Sequence, residues 1–269
     1  MFYWIARLSD GLPAAVLAGF LSLLMVAFTW AGIILFRPFV SAWLRRQGGR
    51  NELVNSAAAG FSLYYGLLLG LLSVAAYQSS NEVEDAVTRE ASTLAALYRS
   101  CEAYPEPLRG DLQTLLRDYT LYVINKDWPA HQQRFVPMGG ENRLLAFRRQ
   151  LLSFEPQSKT QEIAQEANVQ ELAKLMSARE QRLAGVSTSI PGTLWYAVWI
   201  GAVVNILLIW LLDMRLTLHL FLGGLISFFL GVMIFIIYTM DEPLQGDVRV
   251  SPGPYARAYE MVMKWDEPG

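Results

Sequence analysis

The sequence predicts an all-α, polytopic membrane protein: four transmembrane helices, with a helical extramembrane domain between the second and the third. Three observations carry this. The 269 residues are 53% hydrophobic and only 17% charged, against roughly 25% charged in soluble domains. The charge is segregated: residues 13–36, 54–81, 183–212 and 216–240 contain no Asp, Glu, Lys or Arg. Each run exceeds the ~20 residues a helix needs to cross a hydrocarbon core, and only helices or closed barrels satisfy every backbone amide in lipid.

The first span is placed at 13–36. Its apolar run is about twice the length of a signal-peptide core, and Arg37-Pro38 follows it in place of a small-residue cleavage site, so it reads as a retained span. An Arg-rich loop, 37–54, carries Arg37, Arg45, Arg46 and Arg50. The second span is 55–80. No Pro or Gly separates it from the stretch beginning at Glu82, where Val83, Val87, Ala91, Leu94, Leu97 and Tyr98 recur at the helical period. One continuous helix leaving the bilayer is expected there.

The insert, 82–190, holds 13 basic and 15 acidic residues, more than half of the chain's charge, and so belongs in water. Pro105 and Pro107 break its first helix. A second helix runs through Leu108, Leu112, Leu115, Tyr119 and Tyr122 and is expected to end at Trp128-Pro129. A third follows Gly139-Gly140, through Leu144, Leu145, Phe147, Leu151 and Leu152, to Pro156. A long fourth runs from about 159 to 184 through Ile163, Val169, Leu172, Leu175, Met176 and Leu183. Each is apolar along one stripe only and must pack on something. The remaining spans, 192–212 and 216–240, are separated only by Asp213-Met214-Arg215, which forces a tight antiparallel hairpin. The Pro- and Gly-rich tail, 241–269, is expected to be irregular, with "VRVSPGPY" able to fold back onto the insert.

Enzyme signatures are missing. The two histidines, His131 and His219, are far apart in sequence, no His-x-x-Glu-His spacing occurs, and Gly223-Gly224 lie inside a membrane run rather than in a phosphate loop. No catalytic residue, metal ligand or cofactor is assigned. A single cysteine, Cys101, excludes an intrachain disulfide, and a net charge of −2 implies no nucleic-acid partner. The charges of Val83–Glu90 read as a solvated helix face. His219 reads as an interfacial residue, Asn205 as interhelical glue, and Gly224 with Gly231 as a packing seam.

The most informative feature is one face of the second span: Asn55, Ala59, Ser62, Gly66, Gly70, Ser73, Tyr77 and Ser80. Small and polar residues run its whole length, including a Gly-x-x-x-Gly pair. Such a face suits close helix packing or the lining of a pore, in which Phe61, Tyr65 or Leu69 would supply hydrophobic constrictions. No Asp, Glu, Lys, Arg or His lies within this span. Conduction would rest on neutral dipoles, which suits small anions better than a proton relay.

Two motifs carry a family resemblance. "EASTLAALYRSCEAYPEPLRGDLQTLLRDYTLYVINKDWP", with Glu90-Ala91, Leu97-Tyr98-Arg99, Tyr119 and Asp127-Trp128-Pro129, and "DEPLQGDVRVSPGPY", with Asp241, Pro243, Gly246, Ser251 and Pro252, resemble the bestrophin-like domain family of bacterial-type membrane proteins. Asp127 stands where that family usually has Glu, Leu244 where it has Phe, and Tyr77-Gln78-Ser79-Ser80-Asn81 where it often has an aromatic and a charged group.

The resemblance implies a likeness to bestrophins: pentameric anion channels whose second helix lines the central pore and whose helical insert is cytoplasmic. It therefore implies a homo-oligomer in a lipid bilayer, passing chloride or other small anions, multi-pass in the plasma (inner) membrane. The positive-inside rule applied to the Arg-rich loop gives the opposite orientation, with that loop cytoplasmic and the insert outside. The alternative function is a non-conducting membrane scaffold or sensor whose helical domain binds a partner.

Overall fold

The computed structural model describes residues 14–44, 50–187, 189–244 and 250–264. Within them the chain is helical, with no strand, and it has four helices long and apolar enough to cross a membrane. It divides into two compact units. The first takes residues 1–78 and 189–241 with 246–248; the second takes 79–188, 242–245 and 249–269.

Helix α1 covers Ala14–Leu44 and α2 covers Arg50–Ser100, 51 residues without a break. The uninterrupted helix beyond the second span is thus present, and α2 contributes to both units. Pro38 lies inside α1, so the loop expected over 37–54 is mostly helix. Arg45 and Arg46 lie outside the described residues. Helix α7, Gly192–Trp210, and α8, Leu216–Asp241, form the hairpin.

In the first unit, glycines mark where helices approach most closely. A Cβ on Gly231 of α8 would stand 2.6 Å from the Ser22 backbone of α1. One on Gly32 would stand 1.9 Å from the Trp210 ring. The Thr29 and Ser227 hydroxyls share a buried 2.6 Å hydrogen bond, Trp30 Nε1 donates to the Leu220 carbonyl at 2.8 Å, and Trp210 Nε1 donates to the Thr29 carbonyl at 3.1 Å. Without a hydrophobic drive between helices in lipid, small residues and interhelical hydrogen bonds hold them together. The seam expected at Gly224 and Gly231 is this contact.

His219 lies in the first turn of α8 and is buried there. It is 2% exposed, and its Nε2 pairs with the Ile209 carbonyl at 2.9 Å, across the hairpin. With so short a turn, the start of α8 lies against the end of α7, and the buried imidazole is satisfied there.

The second unit contains the rest of α2, a short 3₁₀ turn at Cys101–Ala103, α3 at Leu108–Tyr122, a π-helical turn at Val123–Asp127 and α4 at Trp128–His131. Then come α5 at Gly139–Leu152 and α6 at Lys159–Ser187. Trp128-Pro129 does not end the helical run as expected; Pro129 sits in the first turn of α4, where its missing N–H is not needed. The core gathers Leu94, Leu97, Leu112, Leu116, Phe147, Leu151, Leu172 and Leu175. The tail is not irregular throughout: it forms α9, Gly253–Ala258, and a π-helical turn, Tyr259–Met263. Tyr255 and Met263, both 0% exposed, enter this core, so the fold-back of the tail is realised.

Candidate functional site

Two places combine the sequence-selected residues. The first is the small-residue face of α2. Its neighbouring arc, Tyr65, Leu69, Leu72 and Ala76, is buried in the first unit. Tyr65 donates from its hydroxyl to the Val198 carbonyl at 2.8 Å, and its ring lies where a Cβ on Gly201 of α7 would meet it at 2.3 Å. Tyr65 and Leu69, candidates for a constriction, therefore point into their own unit, each 5% exposed; Phe61 is half-buried and stacks on Tyr65 at 6.1 Å between ring centroids.

The face itself is left open. Asn55, Ala59, Ser62, Gly66 and Tyr77 are exposed, and Gly70, Ser73 and Ser80 are half-buried. A Cβ added at Gly60, Gly66 or Gly70 would meet nothing within 4 Å. Asn205 donates to Ser62 Oγ at 3.2 Å, which is the interhelical bond expected of it and fixes where that hydroxyl stands. The apolar residues on the far side, Leu63, Leu67, Leu71 and Val74, are exposed as well and suit lipid.

The second place is a polar cluster inside the second unit, around Glu90. Its carboxylate receives Arg182 Nε on Oε2 at 2.7 Å, Arg182 Nη2 on Oε1 at 3.3 Å and the Tyr119 hydroxyl on Oε1. Glu90, Tyr119 and Arg182 are 0% exposed. Glu90 is thus not part of a solvated face: its position continues the apolar stripe of α2, which carries it into the core. Arg182 Nη1 stands 3.1 Å from His131 Nδ1. A guanidinium can only donate, so Nδ1 accepts and the imidazole proton sits on Nε2, which has no partner among the described residues.

Electrostatics follow from this burial. Burial works against the Arg182 charge, but Glu90 and the neighbouring Tyr255 and Tyr119 outweigh it and hold its pKa well above the ordinary value. Burial, then the adjacent Glu90 charge, pushes the Tyr119 and Tyr255 hydroxyls well up. Burial, reinforced by Arg182 and Arg179, lowers His131 to about 3. Burial raises Asp127 despite the two arginines. Among the described residues its oxygens have no hydrogen-bond partner, and Arg182 Nη2 stays 3.9 Å away. Gly140 is required beside it, since a Cβ there would lie 2.7 Å from Asp127 Oδ2.

The other motif residues are spread out. Tyr98 is buried and accepts from Arg117 Nη2 at 2.9 Å. Trp128 is buried, whereas Arg99 and Pro129 are exposed. Asp241, at the end of α8, accepts from the Ile190 N–H and from Trp195 Nε1 at 3.0 Å, tying α8 to the approach of α7. The Pro243 carbonyl accepts from the Val250 N–H at 2.8 Å. Ser251 Oγ accepts from the Gly253 N–H at 3.4 Å, beside Pro252 and before α9. Gly246 lies outside the described residues. Among the described residues no three His, Cys, Asp or Glu side chains converge as a metal site would require.

Sequence reading missed Arg179, Arg182 and His131 as members of one cluster. A signal was available: Leu172, Leu175, Arg179, Arg182 and Val186 share one helical stripe, as do Val83, Val87, Glu90, Leu94 and Leu97. A charge standing in a core stripe demands an opposite charge from another stripe.

Comparison with known proteins gives a consistent assignment. A family model described as Bestrophin-like domain matches residues 23–255. No curated protein matches the chain. Among solved structures, that of a bacterial bestrophin homologue from Klebsiella pneumoniae is similar at 15% identity and TM-score 0.66, over 93% of this chain and 99% of that one. A single-substitution variant of that homologue is similar at 15% identity and TM-score 0.66, over 91% and 96%. A crystal structure described only as a membrane protein is similar at 13% identity and TM-score 0.66, over 90% and 97%.

Proposed function

Since the chain belongs to the Bestrophin-like domain family, we propose that this multi-pass membrane protein forms a homo-oligomeric channel for small anions such as chloride, with the small-residue face of α2 turned toward the central axis. The observation that carries this reading is the open space along that face. Among the described residues nothing from a neighbouring element lies within 4 Å of a Cβ at Gly66 or Gly70, while the adjoining arc at Tyr65, Leu69 and Leu72 is buried. A slim face that its own helices leave uncovered is where a second copy or a column of water can approach. The buried arc anchors α2 on α7, so the face has a rigid support.

Ser62, Ser73 and Ser80 offer hydroxyl donors along the face, and residues 54–81 contain no carboxylate to repel an anion. The solved relatives are described as bestrophin homologues, which agrees with this reading. By the same analogy the assembly is a pentamer and its membrane the plasma (inner) membrane.

The test is chloride efflux from liposomes reconstituted with the purified protein, together with the mass of the detergent-solubilised particle. The wild type is expected to pass chloride as an oligomer, and Ser62→Trp or Gly66→Trp to block flux or disrupt assembly. An intact oligomer that passes no chloride overturns conduction. Two tryptophan variants that both conduct and assemble like wild type overturn the placement of this face.

A further inference from the structure

Near the end of its apolar spans the first unit has a cavity of about 370 Å³, lined among the described residues by Ile34, Arg37, Pro38, Ser41, Asp213 and Leu216. Small-molecule sites commonly occupy ~300–1,000 Å³. Arg37 is the first charged residue after the 13–36 run, and Asp213 the first after the 183–212 run. Both stand where hydrocarbon gives way to headgroups, the depth at which charged residues flank membrane helices.

The two charges line one cavity without pairing, either with each other or with any other described residue. Asp213 uses only its backbone: its N–H donates to Asn51 Oδ1 at 3.3 Å and its carbonyl accepts from Asn51 Nδ2 at 3.4 Å. That bond fixes the turn and leaves the carboxylate to the cavity. A simple anion here would meet Asp213, and a simple cation would meet Arg37. A ligand carrying both signs a few atoms apart satisfies both.

From this we infer that the cavity binds the zwitterionic phosphoethanolamine headgroup of a membrane lipid. The phosphate is held by the Arg37 guanidinium, whose fork matches phosphate oxygens. The ammonium donates to the Asp213 carboxylate. The acyl chains leave past Ile34 and Leu216, which are 61% and 36% exposed, and this apolar exit favours a lipid over the free headgroup. A choline headgroup lacks N–H donors for Asp213, and quaternary ammonium groups are usually recognised by aromatic cages; no aromatic ring is among the described lining residues. A phosphatidylglycerol headgroup brings the phosphate but sets no cation against Asp213.

The experiment measures lipid retained by the full-length protein in detergent, by native mass spectrometry, after equal supply of phosphatidylethanolamine, phosphatidylglycerol and phosphatidylcholine of matched chains, with soluble phosphoethanolamine as a fourth arm. Phosphatidylethanolamine is expected to be retained about threefold over either other lipid, the scale of a partly exposed charge pair, with little retention of the soluble headgroup. Arg37→Gln should reduce phosphatidylethanolamine retention, and Asp213→Asn should abolish its advantage over phosphatidylglycerol. Among the described residues neither side chain has an intramolecular partner, so both variants should fold, which their unchanged melting temperature in lipid-free detergent would confirm. Equal retention of the three lipids, a preference for phosphatidylglycerol, a preference that survives Asp213→Asn, or equal retention of the soluble headgroup overturns the inference. None of these readouts depends on chloride conduction.

Discussion

Arg182 and Glu90, 92 positions apart in sequence, form an ion pair joined by two hydrogen bonds, and neither side chain is exposed to solvent. The Tyr119 hydroxyl and His131 Nδ1 complete the pair, so the removal of either charge strands the other. Glu90→Gln or Arg182→Met should each destabilise the second unit by about 3–5 kcal/mol, the usual result of orphaning a buried charge. The double variant Glu90→Gln/Arg182→Met should lose less than the sum. Thermal melts in detergent on the four proteins of the cycle give the coupling directly; additive losses would show that the pair contributes no interaction of its own.

Stability should depend on pH through His131. Its pKa is about 3 in the folded chain against 6.5 ordinarily. The unfolded state therefore binds the proton first as pH falls, and the contribution of the neutral imidazole, complete above 6.5, is lost progressively toward 3. Asp127 has the opposite sign: its raised pKa favours the folded state at low pH and costs stability as pH rises through the folded value. His131→Asn, whose side-chain oxygen can still accept from Arg182, should flatten the acid-side loss. Asp127→Asn should raise the melting temperature at neutral pH, with the gain shrinking on acidification. Melting temperature against pH for the three proteins is the measurement.

Glycines on facing helices should respond differently. Gly201→Ala drives a Cβ to 2.3 Å from the Tyr65 ring, and the ring is held by its bond to the Val198 carbonyl. Overpacking of this kind costs about 1–3 kcal/mol. Gly66→Ala meets open space in the same chain and should leave the melting temperature of the dissociated subunit unchanged or slightly higher. Parallel melts of the two variants under dissociating detergent check the contrast.

Asp241→Ala should loosen the entry to α7. It removes the acceptor of both the Ile190 N–H and Trp195 Nε1, and each stranded, partly buried donor costs about 1–3 kcal/mol. A red-shifted tryptophan emission with a lowered melting temperature is expected. Asp241→Asn, which keeps one acceptor oxygen, should fall between the two.

Much of the fold was legible in the sequence. Four charge-free runs required four membrane helices, the three-residue Asp213–Arg215 link required a hairpin, and the stripe from Val83 to Tyr98 extended the second span into the insert. These are local properties, set by the period of one helix and the reach of a short link. Trp128-Pro129 misled because a proline that cannot continue a helix can open one.

The site was legible only in part. The small face of α2 is visible in a single helix and could be named residue by residue. Whether it is covered depends on which side of α2 meets α7, and Tyr65 against Gly201 decides that. Glu90, the pair Asp127 and His131, and Arg182 come from three separate segments, and the tail's Tyr255 joins them. The sequence by itself determined which residues can lie in lipid and which helical stripes must be hidden, because those follow from transfer energies and a 3.6-residue period. Only the tertiary structure decided which stripe lies on which, and therefore that two apparently solvated charges neutralise each other in a core. That choice rests on packing between residues far apart in the chain, which no local pattern encodes.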